Sequence, residues 1–186
     1  MIAVSSHRPF AHSPEIARNQ TAAFHSWLSV FDAIVYFGDY EHGLMSNRTA
    51  FVTAAQFPPI RLLMLAGALA AEPVCIINAD IVLGVIARKS LDGALKRAKA
   101  AMSFRLEFDP ARPVDSRNAK QRDDGIDLFA AHPTVWRSCW RDCPPEFRIG
   151  RPVWDSWLFM WMREHCSGMF ANLSAGKFVF HPKHSR

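Results

Sequence analysis

Apolar and polar positions along this chain alternate between a strand-like and a helix-like rhythm. Ile2 to Ser5 is a short apolar run that ends in the polar turn Ser5-Ser6-His7-Arg8-Pro9, and it reads as a first strand. Ser13 then suits a helix N-cap, Pro14 the first helical position, and Glu15 the positive helix end. Ile16, Gln20, Ala23, Phe24, Trp27, Leu28 and Phe31 recur at helical spacing and predict one buried stripe. Ala33 to Phe37 is a second apolar run, closed by Gly38-Asp39-Tyr40-Glu41. Strand, helix and strand with a short return form the unit of a parallel sheet.

From Glu41 to Pro59 the pattern predicts a loop, with a short strand around Phe51-Val52. A helix follows from Ile60 to Ala71, closed by Pro73 ahead of the apolar stretch Val74 to Leu83. Gly84 opens a helical region to about Ala100, and Ala101 to Phe108 reads as a strand. Asp109 to Asp124 holds Pro110, Pro113 and eight charged residues, which predicts a flexible loop beside a site. Gly125 to Ala131 resumes strand character, with Asp127 among apolar neighbours. A helix opens at about Val153, where Trp154, Trp157, Leu158, Trp161 and Met162 follow core spacing rather than forming a sugar platform. Lys177 to His181 is strand-like and ends in His181-Pro182-Lys183-His184. With no internal repeat and no second hydrophobic core, this order predicts one three-layer α/β domain over residues 1–186, with a mostly parallel central sheet.

Composition narrows the class. The chain has 186 residues, 49% hydrophobic and 21% charged, as expected of a globular protein and not of a disordered one. Its longest apolar run, Leu62 to Ala71, is too short to span a bilayer. The start, Met1 to Val4, lacks the features of a signal peptide, so a cytoplasmic location is expected. Four cysteines form no dense framework, and Cys139, Cys143, His165 and Cys166 repeat no tight zinc spacing. The net charge of +5 draws on Arg88, Lys89, Lys96, Arg97, Lys99 and Arg105. A solvated helix face explains that excess; a polyanionic acceptor or a diphosphate ligand is the other reading.

The chemistry concentrates in Val74 to Leu83, where Asn78 and Asp80 interrupt an apolar, β-branched run. A buried strand has no use for an unpaired carboxylate. Either the strand ends there and the acid faces a ligand or metal, or the Asp caps the following turn. No Gly-x-Gly-x-x-Gly follows the first strand and no phosphate loop occurs, which weighs against dinucleotide-binding dehydrogenases and P-loop NTPases. No Gly-x-Ser-x-Gly elbow is present, which weighs against serine hydrolases of the α/β type.

Placed at the end of a hydrophobic strand, Asn78-Ala79-Asp80 resembles the Asp-x-Asp-like motif of the GT-A nucleotide-diphospho-sugar transferases. Val4-Ser5-Ser6-His7-Arg8-Pro9 looks like their first strand and nucleotide-binding turn. Asn19-Gln20 and Ser26-Trp27 resemble the first helix of a small bacterial and viral subset. Gly38-Asp39 and Gly125-Ile126-Asp127-Leu128-Phe129 match in order, and Gly150-Arg151-Pro152-Val153-Trp154-Asp155-Ser156-Trp157 is the most specific block. The resemblance implies transfer of a sugar from a UDP- or GDP-linked donor to a hydroxyl acceptor, assisted by Mn²⁺ or Mg²⁺.

In that scheme Asp80 ligates the metal, with His184 or His181 adding a nitrogen; a surface histidine is the other reading of each. Asn78, in place of the commoner Asp, hydrogen-bonds a ribose without adding charge. Ser5 belongs to the nucleotide turn, Asp39 meets the base, and Arg8 and Arg151 meet the diphosphate or are solvated loop arginines. Asp155 is the expected base, with a helix-start carboxylate as its other reading; Asp127 is the second choice, as base or acceptor ligand. Acceptor selection is expected from Asp109–Asp124 and from His132 to Pro145. DNA bearing hydroxymethylated bases is an alternative acceptor, and a sugar-nucleotide-binding protein without catalysis is an alternative of another class.

Overall fold

The computed structural model describes residues 1–183, without the side chains of Asp123 and Asp124. Its first half is built as the alternation predicts. Strand β1 (Ile2–Ser5) leads to helix α1 (Pro14–Trp27), then β2 (Ala33–Phe37) and β3 (Thr49–Val52). The Ser13 hydroxyl accepts the Glu15 amide at 3.1 Å and Pro14 occupies the first turn, so α1 starts where its cap residues place it. Helix α2 (Ile60–Leu69) returns the chain to β4 (Val74–Ile77). These four strands pair in parallel, in the order β3-β2-β1-β4.

The second half closes the sheet. Strand β5 (Val82–Leu83) and helix α3 (Ala87–Leu95) precede the long strands β6 (Ala100–Phe108) and β7 (Lys120–Ala131). Helices α4 (Pro133–Asp142) and α5 (Trp154–His165) follow, then β8 (Phe170–Asn172) and β9 (Val179–Pro182). The nine-stranded sheet continues β4-β7-β6-β9-β5, with β8 beside the start of β6. Strand β7 is antiparallel to both neighbours and β5 is antiparallel to β9; every other pairing is parallel.

A sheet covered on both faces needs apolar side chains on both, and two large buried clusters result, beside a small one of Leu106, Phe108 and Phe180. Phe24, Trp27, Phe31, Tyr36 and Leu91 pack on one face beneath α1 and α3. Leu63, Met64, Phe129, Trp136 and Leu158 fill the other beneath α2, α4 and α5. The expectation of no second hydrophobic core therefore gives way to one core per face. The tryptophan stripe of α5 is core as expected, with Trp154, Leu158 and Met162 buried.

Three boundaries differ from the sequence pattern. In Val74 to Leu83 the first strand ends before Asn78, as expected, and after the turn through Asn78 to Ile81 a short further strand, β5, leaves β4 to pair with β9. The charged segment ends earlier than expected, since 120–124 extend β7 and pair with β6 through Lys120 and Gln121. Finally, α4 is a helix whose Val135, Trp136 and Cys139 are buried, so this part of 132–145 serves the core. No described helix is long and apolar enough to cross a membrane.

Candidate functional site

A cleft of about 380 Å³ opens where the C-terminal ends of β1 and β4 meet the β6–β7–β9 side of the sheet. Ligands in open α/β sheets bind at that end of the strands, where chain direction changes between neighbours. The floor is the turn after β4. The Ile81 amide donates to the Asn78 carbonyl at 3.1 Å, and α1 holds the turn from behind. There the Trp27 indole N–H donates to the Ile81 carbonyl at 2.7 Å, and the Leu83 amide donates to the Ser26 hydroxyl at 2.9 Å. Ser26-Trp27, a sequence landmark on a distant helix, is thus the support of the Asn78–Asp80 turn.

Asp127 faces this turn from β7. Its Oδ1 accepts the Asn78 side-chain amide, and its Oδ2 accepts Arg105 Nη1 at 2.9 Å. The register explains the placement: Ser103 pairs with Leu128 and Phe104 with Ile126, leaving Asp127 as the extra residue of a β-bulge. Bulges re-aim side chains next to sites, and this one directs a carboxylate into the cleft wall. Gly125 completes the arrangement, because a Cβ there would fall 2.6 Å from Arg105 Cζ. Asp127 is only 4% exposed. Burial pushes its carboxyl above the ordinary range; Arg105 and His181 pull it down, and Asp80 pushes it further up.

Asp80 meets His181 from β9, which reaches the cleft because β9 inserts between β6 and β5. Asp80 Oδ2 and His181 Nε2 lie 3.5 Å apart. One divalent ion at about 2.1 Å from each atom spans such a gap. Among the described residues no group of three His, Cys, Asp or Glu side chains is placed to hold an ion. The pair therefore fits a cation that takes its other ligands from phosphate oxygens and water. An imidazole nitrogen beside a carboxylate suits Mn²⁺ better than Mg²⁺, which favours oxygen ligands throughout. His184 lies outside the described residues.

The turn after β1 forms the opposite wall. Gln20 of α1 accepts the Arg8 amide at 2.9 Å and donates to the Arg8 carbonyl at 2.8 Å, which fixes this turn through its backbone. His7 Nε2 lies 2.6 Å from the Asp39 carbonyl. A carbonyl only accepts, so Nε2 carries the proton and Nδ1 is left as an acceptor. Among the described residues, His7 Nδ1 and Asn19 Nδ2 are buried without a hydrogen-bond partner, and both residues line the cleft. Buried polar atoms of this kind call for a ligand or water.

The expected site residues thus divide. Arg8, Asn78, Asp80, Asp127 and His181 share the cleft. Ser5 is fully buried, its hydroxyl donating to the Ile77 carbonyl at 2.6 Å, and it ties β1 to β4 outside the cleft lining. Asp39 touches the site through its carbonyl on His7, and its residue lines a smaller hollow behind that ring. Asp155 sits in the first turn of α5, where its Oδ1 accepts the Ser156 amide at 2.9 Å, outside the cleft lining. Arg151 stands beside the lining residue Gly150, its guanidinium 5.0 Å from the Phe57 ring.

The site reading from sequence left out Phe57, Gln56 and Arg105. Arg105 carried no signal of a site role: a cation alternating with Phe104 and Leu106 in a strand reads as solvent-facing, and its partner Asp127 comes from the neighbouring strand.

No known family profile matches the sequence, and no curated protein matches it. Solved structures do match. TarS residues 1–349 of S. aureus in complex with UDP-GlcNAc superposes with a TM-score of 0.63 at 11% identity, over all of this chain and 59% of that one. The 4-diphosphocytidyl-2C-methyl-D-erythritol synthase of Anaerococcus prevotii gives 0.58 at 12% identity, over 93% of this chain and 86% of that one. A glucose-1-phosphate thymidylyltransferase described from Bacillus anthracis gives 0.57 at 10% identity, over 98% and 86%. The chain therefore has the fold of the nucleotide-diphospho-sugar transferases, in the mixed, mostly parallel form that the resemblance implied.

Proposed function

We propose that the protein is a transferase that moves a sugar from a nucleoside-diphosphate sugar to a hydroxyl acceptor. The observation that carries this reading is the convergence of Asp80, His181, Arg105 and Asp127 in one cleft, at the strand ends of a fold that also holds UDP-GlcNAc in TarS. In this reading the base lies against His7 and Asn19, whose unmet Nδ1 acceptor and Nδ2 donor read its polar edge. Asn78 remains tied to Asp127 and presents the turn to the ribose.

Asp80 and His181 hold a divalent cation together with the donor's phosphates. When bound, such a cation offsets the negative charge of the departing diphosphate. Arg105 adds a fixed positive charge in the same cleft, and its pairing with Asp127 keeps the guanidinium oriented before substrate arrives. Of the two acids expected to act as base, Asp127 is the one that lines the cleft. A carboxylate oxygen has two lone pairs, so Oδ1 accepts from Asn78 and still takes the acceptor's proton. Burial strengthens it as a proton acceptor. Asp155 becomes a carboxylate that stabilises the start of α5.

Calorimetric titration of UDP and GDP sugars, with Mn²⁺ and then with chelator, tests the donor and cation together. We expect Asp80→Asn to lower donor affinity at least tenfold with Mn²⁺ and to abolish the effect of chelator; equal affinity in all four conditions would remove the cation from the site. Product analysis separates the rival chemistry of the fold: sugar transfer releases a nucleoside diphosphate, whereas nucleotidyl transfer releases pyrophosphate. Asp127→Asn should slow transfer by roughly 10²-fold or more while Asp155→Asn retains it; the reverse pattern would return the proton to Asp155.

A further inference from the structure

The rim of the cleft carries a second cationic group. Phe57, which lines the cleft, has Arg8 at 5.7 Å and Arg151 at 5.0 Å from its ring centroid. Arg148 Nη1 donates to the Phe57 carbonyl at 3.3 Å. All three arginines are exposed, and among the described residues none has a carboxylate partner. Of the acids nearest Arg148 and Arg151 in sequence, Glu146 makes no ion pair with them among the described residues, and Asp155 accepts the Ser156 amide. Three exposed guanidinium groups set on one residue, none paired with a carboxylate among the described residues, make a positive patch that favours an anion.

The backbone holds this group in place at a cost. Phe57 has a φ of 56° and Val153 a φ of 90°, conformations that bulky and β-branched residues rarely adopt. Residues at such angles persist where the surroundings impose them, often at binding sites. Here the surroundings are visible. The Ile149 amide donates to the Pro58 carbonyl at 3.1 Å, and the Ile60 amide to the Phe147 carbonyl at 2.9 Å, so the Arg148 segment is laced to the Phe57 segment. Gly150, at a φ of 73°, allows the approach, since a Cβ there would lie 2.7 Å from Phe57 Cδ1.

We propose that the Phe57 rim, with Arg8, Arg148 and Arg151, is a phosphate-binding subsite for the acceptor, which therefore carries a phosphate ester. Depth assigns the ligand. Inside the cleft, Arg105, Asp127 and His181 have side-chain exposures of 22%, 5% and 13%, the enclosed setting that suits the donor's diphosphate. The three rim arginines face solvent, from which the second substrate arrives. Guanidinium groups match phosphate oxygens in geometry as well as charge, and several together select an ester over a neutral polyol. The word acceptor rests on the sugar-transfer reading above; the anion subsite rests on the arginines alone.

The test uses the intact protein, methyl phosphate and dimethyl phosphate as probes of the two ester types, methanol as the uncharged control, and UDP for the donor site. Wild type should bind at least one ester and not methanol, with the same affinity when UDP is saturating. The Arg148→Gln/Arg151→Gln double variant should lose at least tenfold in ester affinity and stay within twofold for UDP. Both positions are exposed, and an unchanged melting temperature confirms that the fold is kept. Loss of UDP affinity in the variant, or displacement of the esters by UDP, would assign the rim to the donor and overturn the proposal. Absence of ester binding by wild type would overturn it too. If wild type binds the esters but no nucleoside diphosphate or its sugars, the sugar-nucleotide reading falls and the acceptor assignment falls with it.

Discussion

At the scale of single residues, Gly125 shows how a site is made by what is missing. Its hydrogen leaves the space through which the Arg105 guanidinium reaches Asp127. Alanine there would favour the strand by about 0.5–1 kcal/mol relative to glycine, while pushing a flexible arginine tip aside. Displacing the guanidinium would leave Asp127 buried without its cation, which costs more than that gain. We therefore expect Gly125→Ala to lower the denaturation midpoint and to weaken donor binding at least fivefold; unaltered binding would show that Arg105 does not meet the donor. Asp127 makes a pH-dependent prediction. Burial, with Asp80, raises its carboxyl above the ordinary 3.8 against the pull of Arg105 and His181. Protonation therefore favours the folded state, and this group's contribution to stability is largest below the unfolded value and falls as pH rises toward the folded one. The unfolding free energy of wild type minus that of Asp127→Asn should become more negative as pH climbs from about 3 through the carboxylate range. A rise in that difference over the interval would mean that Arg105 outweighs burial.

Elements were legible from the chain where a periodic pattern was long enough. The stripe of α1 and the tryptophan spacing of α5 appear in the structure at the expected places. Helix α4 did not announce itself, because Val135, Trp136 and Cys139 are too few apolar positions among arginines and serines. Its place is fixed by contact. The Trp136 indole N–H donates to the Val74 carbonyl at 3.0 Å, and Gly67 of α2 lies so close that a Cβ would fall 2.6 Å from Trp136 Cδ1. Trp136 is fully buried and has no room to yield. Gly67→Ala should accordingly cost about 1–3 kcal/mol in chemical denaturation, overpacking outweighing its better helix propensity. A stabilised variant would mean that α2 and α4 separate freely.

For the molecule as a whole, the sequence by itself determined the alternation of strands and helices, the caps, and the break at Asn78–Asp80. Each of these depends on local periodicity or on a polar group that a buried strand cannot keep. It also carried the resemblance through which Arg8, Asp127 and His181 entered as candidates. Only the tertiary structure decided which candidates meet. Asp80 finds His181 because β9 inserts between β6 and β5, and Asp127 finds Arg105 because a bulge shifts the register by one residue. Ser5 and Asp155, plausible by position, are turned to other hydrogen bonds, and Phe57 enters through a left-handed backbone that its sequence neighbours do not signal. The physical reason is one of range. Helix and strand propensity act over a few residues, whereas a site is assembled by sheet pairing across separations of 49 residues for Asn78–Asp127 and 72 for Ser5–Ile77.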